Sequence, residues 1–326
     1  MSLSQEIIDE LSLAYPEKIT YTRLIKKTET GKETLQQALN ELAINNYPIC
    51  SNGNEIGLSY SLLSIIAIQE LLNTQFIGRH LRLHPSLKST NDYAKEYLAD
   101  LENGEVILAH EQTTGKGRLG RGWSSPVGKS ISMSIALKPT TQFKDISLLT
   151  QLTAATLVDA LEEWIDVKIK WPNDIILNKK KIAGILIETE FWGGTLKGII
   201  IGIGINTNLE QKDIPEELQN KATSIKEYTK KEVDPNILLA RFFTSFERYY
   251  KDFLTSQLSD PFLSVCRDHS ILLGNDFWII NKENKRKALI QDIAPSGGLV
   301  VKYRDTNQTD IITSTELSIR GDGEYL

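Results

Sequence analysis

Cysteine is scarce: 326 residues hold only Cys50 and Cys266. That count argues against a disulfide framework or a thiolate metal site, and it suits a reducing compartment. No apolar run approaches the roughly 18 residues a membrane span needs. The opening Met1-Ser2-Leu3-Ser4-Gln5-Glu6 carries an acid where a secretory leader carries basic residues. The expected location is cytoplasmic, with no membrane partner. Excess positive charge is missing too, since 37 Lys and Arg face 42 Asp and Glu for a net of -5. Nucleic-acid binding by the whole body is therefore disfavoured, and any basic surface has to be local. What the chain does have is 40% apolar and 24% charged residues, enough for a packed core. Its length calls for two or three domains.

Helical spacing recurs near the start. Ile7, Ile8, Leu11 and Ala14 form one stripe, Thr20 can cap a second helix through Leu24 and Ile25, and Leu35, Ala38, Leu39 and Leu42 mark a third. A turn at Asn52-Gly53 then precedes a short extended run. This order resembles a winged helix-turn-helix, whose third helix would offer Lys32, Gln36, Gln37 and Asn40 to DNA. Residues 1–60, however, hold five basic side chains against eight acids, which makes a poor phosphate surface. A small packing or dimerisation module is the competing interpretation.

Further on, Ser89-Thr90-Asn91 can cap a helix carrying Ala94, Leu98 and Leu101, with Gly104 as its stop. Residues 113–122 read as a loop rich in glycine and basic residues, and residues 130–137 as a strand. Extended runs at 167–171, 175–178, 181–189 and 198–207 are separated by short turns, so they pair mostly antiparallel. Asp234-Pro235 opens a long helix that buries Leu238, Leu239, Phe242, Phe246 and Phe253. Beyond residue 271 only strands follow, with a turn at 281–285. The fold class is α+β.

Three stretches carry chemistry. Gly115-Lys116-Gly117-Arg118-Leu119-Gly120-Arg121-Gly122 combines backbone that can approach a ligand closely with cations for an anion. It lacks the spacing of a Walker or dinucleotide loop. Lys170-Trp171-Pro172-Asn173-Asp174 is followed by Lys181, which opens a strand and so has a defined direction. Asp174 can cap a turn or orient a cation. Gly202-Ile203-Gly204-Ile205-Asn206-Thr207-Asn208 leaves one strand face bare, for a close chain crossing or for a flat ligand.

Taken in order, Ser89-Thr90-Asn91, Gln112, the 115–121 segment, Trp123, Lys170 to Asp174, Lys181 to Gly184 and Gly202 to Asn206 resemble the biotin–protein ligase family. The helical front end is similar to that of its bifunctional members, which also repress the biotin operon. The resemblance spans nearly the whole chain. It implies a winged helix-turn-helix at 1–62, a mixed-sheet catalytic domain of class II aminoacyl-tRNA synthetase-like type at 63–270, and an SH3-like barrel at 271–326. It implies adenylation of biotin by ATP with Mg2+, then transfer to a lysine of the biotin carboxyl carrier protein. Ser89, Thr90, Asn91, Gln112, Lys116, Gly117, Arg118 and Lys181 would hold biotin. Gly115, Arg118, Arg121, Trp123, Asn173, Asn206 and Asn208 would hold ATP and the adenylate. Lys181, Arg118 and Asp174 would be catalytic, with Asp174 also a candidate for the metal. A homodimer of the adenylate-loaded protein on operator DNA is implied as well. Two departures stand out: Lys116 replaces the usual first Arg of the loop, and residues 220–225 lack the tryptophan some bifunctional members place there. A lipoate–protein ligase and a non-catalytic metabolite-sensing regulator are the rival readings.

Overall fold

The computed structural model describes residues 2–138, 146–281, 284–313 and 317–321. The front end folds as α1 (Leu3–Ala14), β1 (Ile19–Thr20), α2 (Tyr21–Thr28), α3 (Lys32–Ile44), β2 (Ile49–Asn52) and β3 (Glu55–Leu58). Thr20 caps α2, its Oγ1 accepting from the Arg23 amide at 3.2 Å. The three helical stripes meet in one small core, to which the body adds Val127. Polar ties fix the module in place. The Tyr60 hydroxyl donates to Val127 O at 3.2 Å, and the Ser64 amide donates to Asn236 Oδ1 at 2.8 Å.

The body runs through α4 (Ile65–Leu71), β4 (Leu81–His84), α5 (Thr90–Glu96), β5 (Glu105–Ala109), β6 (Gln112–Lys116), β7 (Gly122–Ser125), β8 (Ser130–Leu137), α6 (Ile146–Leu161), β9 (Lys168–Lys170), β10 (Asp174–Leu177), β11 (Lys180–Trp192), β12 (Thr195–Asn206), α7 (Ile225–Thr229), α8 (Pro235–Ser256) and α9 (Asp260–Asp268). Its seven-stranded sheet has the order β4-β5-β8-β12-β11-β10-β9. Among the described residues of this sheet, β4 and β5 are the one parallel strand pair; the meander is antiparallel throughout, as its short turns require.

A strand's period of two assigns its faces. Ile199, Ile201, Ile203 and Ile205 of β12 join the main core with Phe242, Phe243 and Phe246 of α8. Their neighbours Ile200, Gly202 and Gly204 point to the opposite face, where Ile200 packs with Ala94 of α5. Register continues that face across the sheet: Ser134 and Ser132 of β8 lie beside Gly202 and Gly204, and Leu186 and Gly184 of β11 lie on their other side. One face is therefore greasy and helix-covered. The other carries a strip of small and polar side chains.

Two expectations need correction. The α5 helix ends at Glu96, so Leu98 and Leu101 are buried from the turns that follow it. Residues 113–122 are not simply a loop: β6 and β7 pair as a hairpin around a tight turn at Arg118–Gly120. Alternating glycine and cation carries no apolar period, so the hairpin left no trace in the pattern. Gly115 is required by it, because a Cβ there would lie 2.5 Å from the Trp123 carbonyl oxygen.

At the end, β13 (Asp276–Asn281), β14 (Asn284–Ile293), β15 (Leu299–Tyr303), β16 (Thr309–Ile312) and β17 (Leu317–Arg320) form an antiparallel sheet of order β16-β15-β14-β13-β17. The turn expected at 281–285 lies partly outside the described residues. The sheet's inner side, with Ile279, Ala288, Ile290 and Val301, is continuous with the main core. The Trp171 indole N–H donates to Gly297 O at 2.9 Å and ties this sheet to the body.

Candidate functional site

The bare strip of the sheet is roofed by two pieces, the N-terminal turn of α5 and the β6–β7 hairpin. Ser89 caps α5, its side chain accepting from the Asp92 amide at 3.3 Å, and this fixes Thr90 and Asn91 over the strip. Gln112 Oε1 accepts from the Thr90 amide at 2.8 Å. Beneath them Ser134 Oγ donates within 2.8 Å of Thr90 Oγ1 and 2.6 Å of Asn91 Oδ1. The narrow cavity so enclosed is lined by Ser89, Thr90, Asn91, Gln112, Lys116 and Gly117, with Arg118, Trp123, Asn173 and Lys181 at one end. It offers neutral donors and acceptors beside the bare strand positions Gly184, Gly202 and Gly204, the surroundings a neutral polar ring needs.

The glycines on the strip make room for specific side chains. A Cβ on Gly202 would sit 2.2 Å from Asn91 Oδ1, and one on Gly204 would sit 2.3 Å from Trp123 Cε2. Both interpretations of the bare face therefore hold at once: side chains cross it closely, and those side chains wall a cavity. The Trp123 indole N–H is buried without a hydrogen-bond partner among the described residues.

A second, open cleft adjoins the first and shares Gly117, Arg118, Trp123, Asn173 and Lys181 with it. It adds Arg121, Lys170, Asp174 and Asn206, with Lys285 and Arg320 from the terminal sheet. Arg118 Nη1 donates to Asn173 Oδ1 at 3.1 Å, and Asn173 is itself held by its Nδ2 on Ile185 O at 2.9 Å. Lys181 Nζ pairs with Asp174 Oδ1 at 2.5 Å and lies 5.4 Å from the Trp123 ring centroid. Burial lowers the Arg118 pKa against the pull of Asp174, yet a guanidinium stays charged. Burial also pushes Lys170 down to about 8, with Arg320, Lys181 and Arg121 adding repulsion and Asp174 opposing it. This is a cation-rich cleft against a neutral polar pocket.

Two of the expected residues sit elsewhere. Gly115 shapes the hairpin and lines neither cavity. Asn208 lines neither as well: its Nδ2 donates to Val233 O at 2.9 Å and its Oδ1 accepts from the Val233 amide at 3.0 Å. Its place next to Thr207 at the strand end suggested a ligand contact, but the chain turns away there to anchor the segment before α8. Asn206 does line the cleft, with its Nδ2 on Thr223 O at 3.0 Å. The sequence assigns no role to Ser134, nor to Lys170 beyond its place in a cationic stretch. Ser130, Ser132 and Ser134 alternate on one strand face, a signal the sequence does display, whereas the pairing of Lys170 with Asp174 emerges only from the strand register.

Asp174 is the one carboxylate among the described residues that line the cleft, and no group of three His, Cys, Asp or Glu able to hold a metal occurs among the described residues. The donor set does not fit a resident metal ion. It fits a magnesium ion that arrives on a polyphosphate, which needs only one or two protein carboxylates.

Comparison with known proteins agrees with this geometry. The model of the biotin/lipoate A/B protein ligase family matches residues 83–206, the segment that lines the first cavity and part of the second. A Bacillus subtilis protein named bifunctional ligase/repressor BirA is 32% identical over 260 residues, covering 78% of this chain and 80% of that one. The biotin–[acetyl-CoA-carboxylase] ligase of Paracoccus denitrificans is 28% identical over 66% of this chain and 90% of its own length. The solved structure of biotin protein ligase from Aquifex aeolicus, in complex with biotin and ATP, is similar with a TM-score of 0.66 at 28% identity, covering 74% of this chain and 99% of that one. By the extent of the match to the Bacillus protein, the chain belongs to the biotin/lipoate A/B protein ligase family, among the biotin–protein ligases.

Proposed function

We propose that this ligase joins biotin to ATP and then to a lysine of the biotin carboxyl carrier protein. In the first step a biotin carboxylate oxygen bonds to the α-phosphorus and pyrophosphate leaves. In the second the lysine nitrogen bonds to the acyl carbon, the amine loses a proton and AMP leaves. The observation that carries this reading is the meeting of Arg118 and Lys181 at the junction of a neutral pocket and a cationic cleft. Lys181 there neutralises charge between two anions that must approach each other. Ser89, Thr90 and Gln112 hold the ureido ring, with Asn91 behind them. Backbone of Lys116 and Gly117 closes over the biotin chain. Arg118, Arg121 and Lys170 take phosphate oxygens, where a guanidinium fork suits the geometry. Trp123, Asn173 and Asn206 line the nucleotide, and magnesium enters with ATP. Asp174 sets the position of Lys181 and faces the incoming amine.

The roofed pocket excludes water from the mixed anhydride. The decisive assay supplies ATP with biotin or with lipoate. Adenylate and pyrophosphate form with biotin; formation with lipoate alone makes the protein a lipoate ligase, and formation with neither makes it a sensor.

A second role follows from the front end, with the chain divided at 1–62, 63–270 and 271–326 into a winged helix-turn-helix, the catalytic body and an SH3-like terminal unit. Lys32, Gln36, Gln37 and Asn40 all stand on the exposed face of α3, opposite buried Leu35, Leu39 and Leu42. The name of the Bacillus relative also favours repression. The adenylate-loaded homodimer would bind operator DNA. Binding that needs biotin plus ATP and weakens with salt supports it; the absence of such binding removes the role.

A further inference from the structure

Lys116, the residue that departs from the usual arginine, does not aim at the cationic cleft. Its Nζ lies 2.6 Å from Asp92 Oδ2, in the first turn of α5. Asp92 Oδ1 lies 3.4 Å from Lys95 Nζ, and Lys95 reaches Glu188 Oε1 of β11 at 2.7 Å. Glu188 Oε2 accepts from Asn91 Nδ2 at 2.7 Å. Asn91 Oδ1 accepts from Ser134 of β8, which also donates to Thr90, and Thr90 meets Gln112. Gln112 and Lys116 are the two ends of β6. The chain of contacts therefore closes on itself. It ties hairpin, helix and both sheet strands into one ring around the neutral pocket.

We propose that Asp92 is a positioning residue for the ligase reaction: it closes this polar ring and so holds the 115–122 segment over the biotin pocket before any ligand arrives. Asp92 touches no substrate in this arrangement and acts through Lys116. The Lys116 and Lys95 ammonium groups outweigh burial and hold its carboxyl below the ordinary range, so Asp92 carries its charge at neutral pH. The pair is half exposed, which limits the effect to a few-fold, and bulk salt weakens it. A ring also places a stricter demand than a single pair. With Lys116 released, the hairpin loses its tie to α5 and keeps its Gln112 end, the Thr113 and Thr114 bonds to Leu87 O and Lys88 O, and the Arg118–Asn173 bond, so the freedom gained falls on the stretch between Thr114 and Arg118.

The inference rests on the ligase reading, so its test has one readout that does not. Lys116, Arg118 and Arg121 are trypsin sites within the segment. In the ligand-free full-length protein, Asp92→Asn is expected to speed tryptic cleavage there about two- to five-fold, and Asp92→Glu to restore the slow rate. The same change should raise KM for biotin about two- to five-fold with kcat nearly unchanged. The swap Asp92→Lys with Lys116→Asp, which itself alters the tryptic sites, should recover part of the KM. Unchanged cleavage in Asp92→Asn, with an unaltered melting temperature, overturns the proposal. So does a raised KM without faster cleavage, because Asp92 would then act by another route. If the wild-type protein makes no biotinyl adenylate, the function fails while the cleavage result still decides the ring.

Discussion

Arg118 and Lys181 come from opposite halves of the catalytic segment, yet adjacent residues of one turn hold them: Asn173 accepts from Arg118 at 3.1 Å and Asp174 pairs with Lys181 at 2.5 Å. The Trp-Pro-Asn-Asp turn thus does structural work for both cations. It brings the fork of one and the point charge of the other to the same junction and gives each its own acceptor, so two like charges can stand side by side.

Lys170 lies deepest among the cleft's cations, 5% exposed. Its pKa of about 8 comes mainly from burial. Because the charged form is the one that meets phosphate, kcat/KM for ATP should fall as pH rises through about 8. Lys170→Arg should move that limb to higher pH. Lys170→Met should lose about tenfold at pH 7, the scale of one charge-assisted contact. A wild-type profile flat from pH 7 to 9.5 would remove Lys170 from the phosphate site.

Gly202→Ala tests the bare strip. The new methyl would lie 2.2 Å from Asn91 Oδ1, and Asn91 is held by Ser134 and Glu188. Overpacking of this kind costs about 1–3 kcal/mol. The expected result is a lower melting temperature and about tenfold weaker biotin binding by calorimetry. Gly31→Ala, which meets nothing within 4 Å, is the control. Equal biotin affinity in the two variants would mean that Asn91 does not shape the pocket.

His110 gives a pH test of the contact between the front module and the body. Its ring lies 5.5 Å from Tyr47 in an edge-on arrangement, and both ring nitrogens lack a partner among the described residues. Burial alone lowers its pKa to about 4. The unfolded chain, titrating near 6.5, then binds the proton more readily than the folded one. Stability is complete above pH 6.5 and falls as pH drops toward 4, by on the order of 2 kcal/mol at pH 5. Urea unfolding of wild type and His110→Leu at pH 7 and pH 5 measures this. The variant should lose about that much less between the two pH values; equal losses would refute a buried neutral histidine.

Much of the architecture was legible because it rests on local rules. Thr20 and Asp234 cap helices in the sequence as in the structure, and the isoleucines of β12 mark the core face by simple alternation. The two cation stretches were legible as chemistry, and the structure brings them to one cavity. What was hidden depends on register and on distant partners. No local pattern distinguishes Asn206, which faces the cleft, from Asn208, which is bound to Val233. Nothing near Lys116 indicates that Asp92 will hold it. The hairpin of β6 and β7 has strand formers only at Thr113, Thr114 and Trp123, interrupted by glycines, and it closes because Gly115 lets the backbone pass under Trp123.

Retention of the labelled intermediate probes the shared junction most directly. Biotinyl-5'-AMP formed on the enzyme and chased with unlabelled adenylate should leave Arg118→Gly and Lys181→Ala at least tenfold faster than wild type, since each removes a charged contact from the same phosphate. Faster release from both variants is the predicted result. Wild-type retention in either one would contradict a single site built from both stretches.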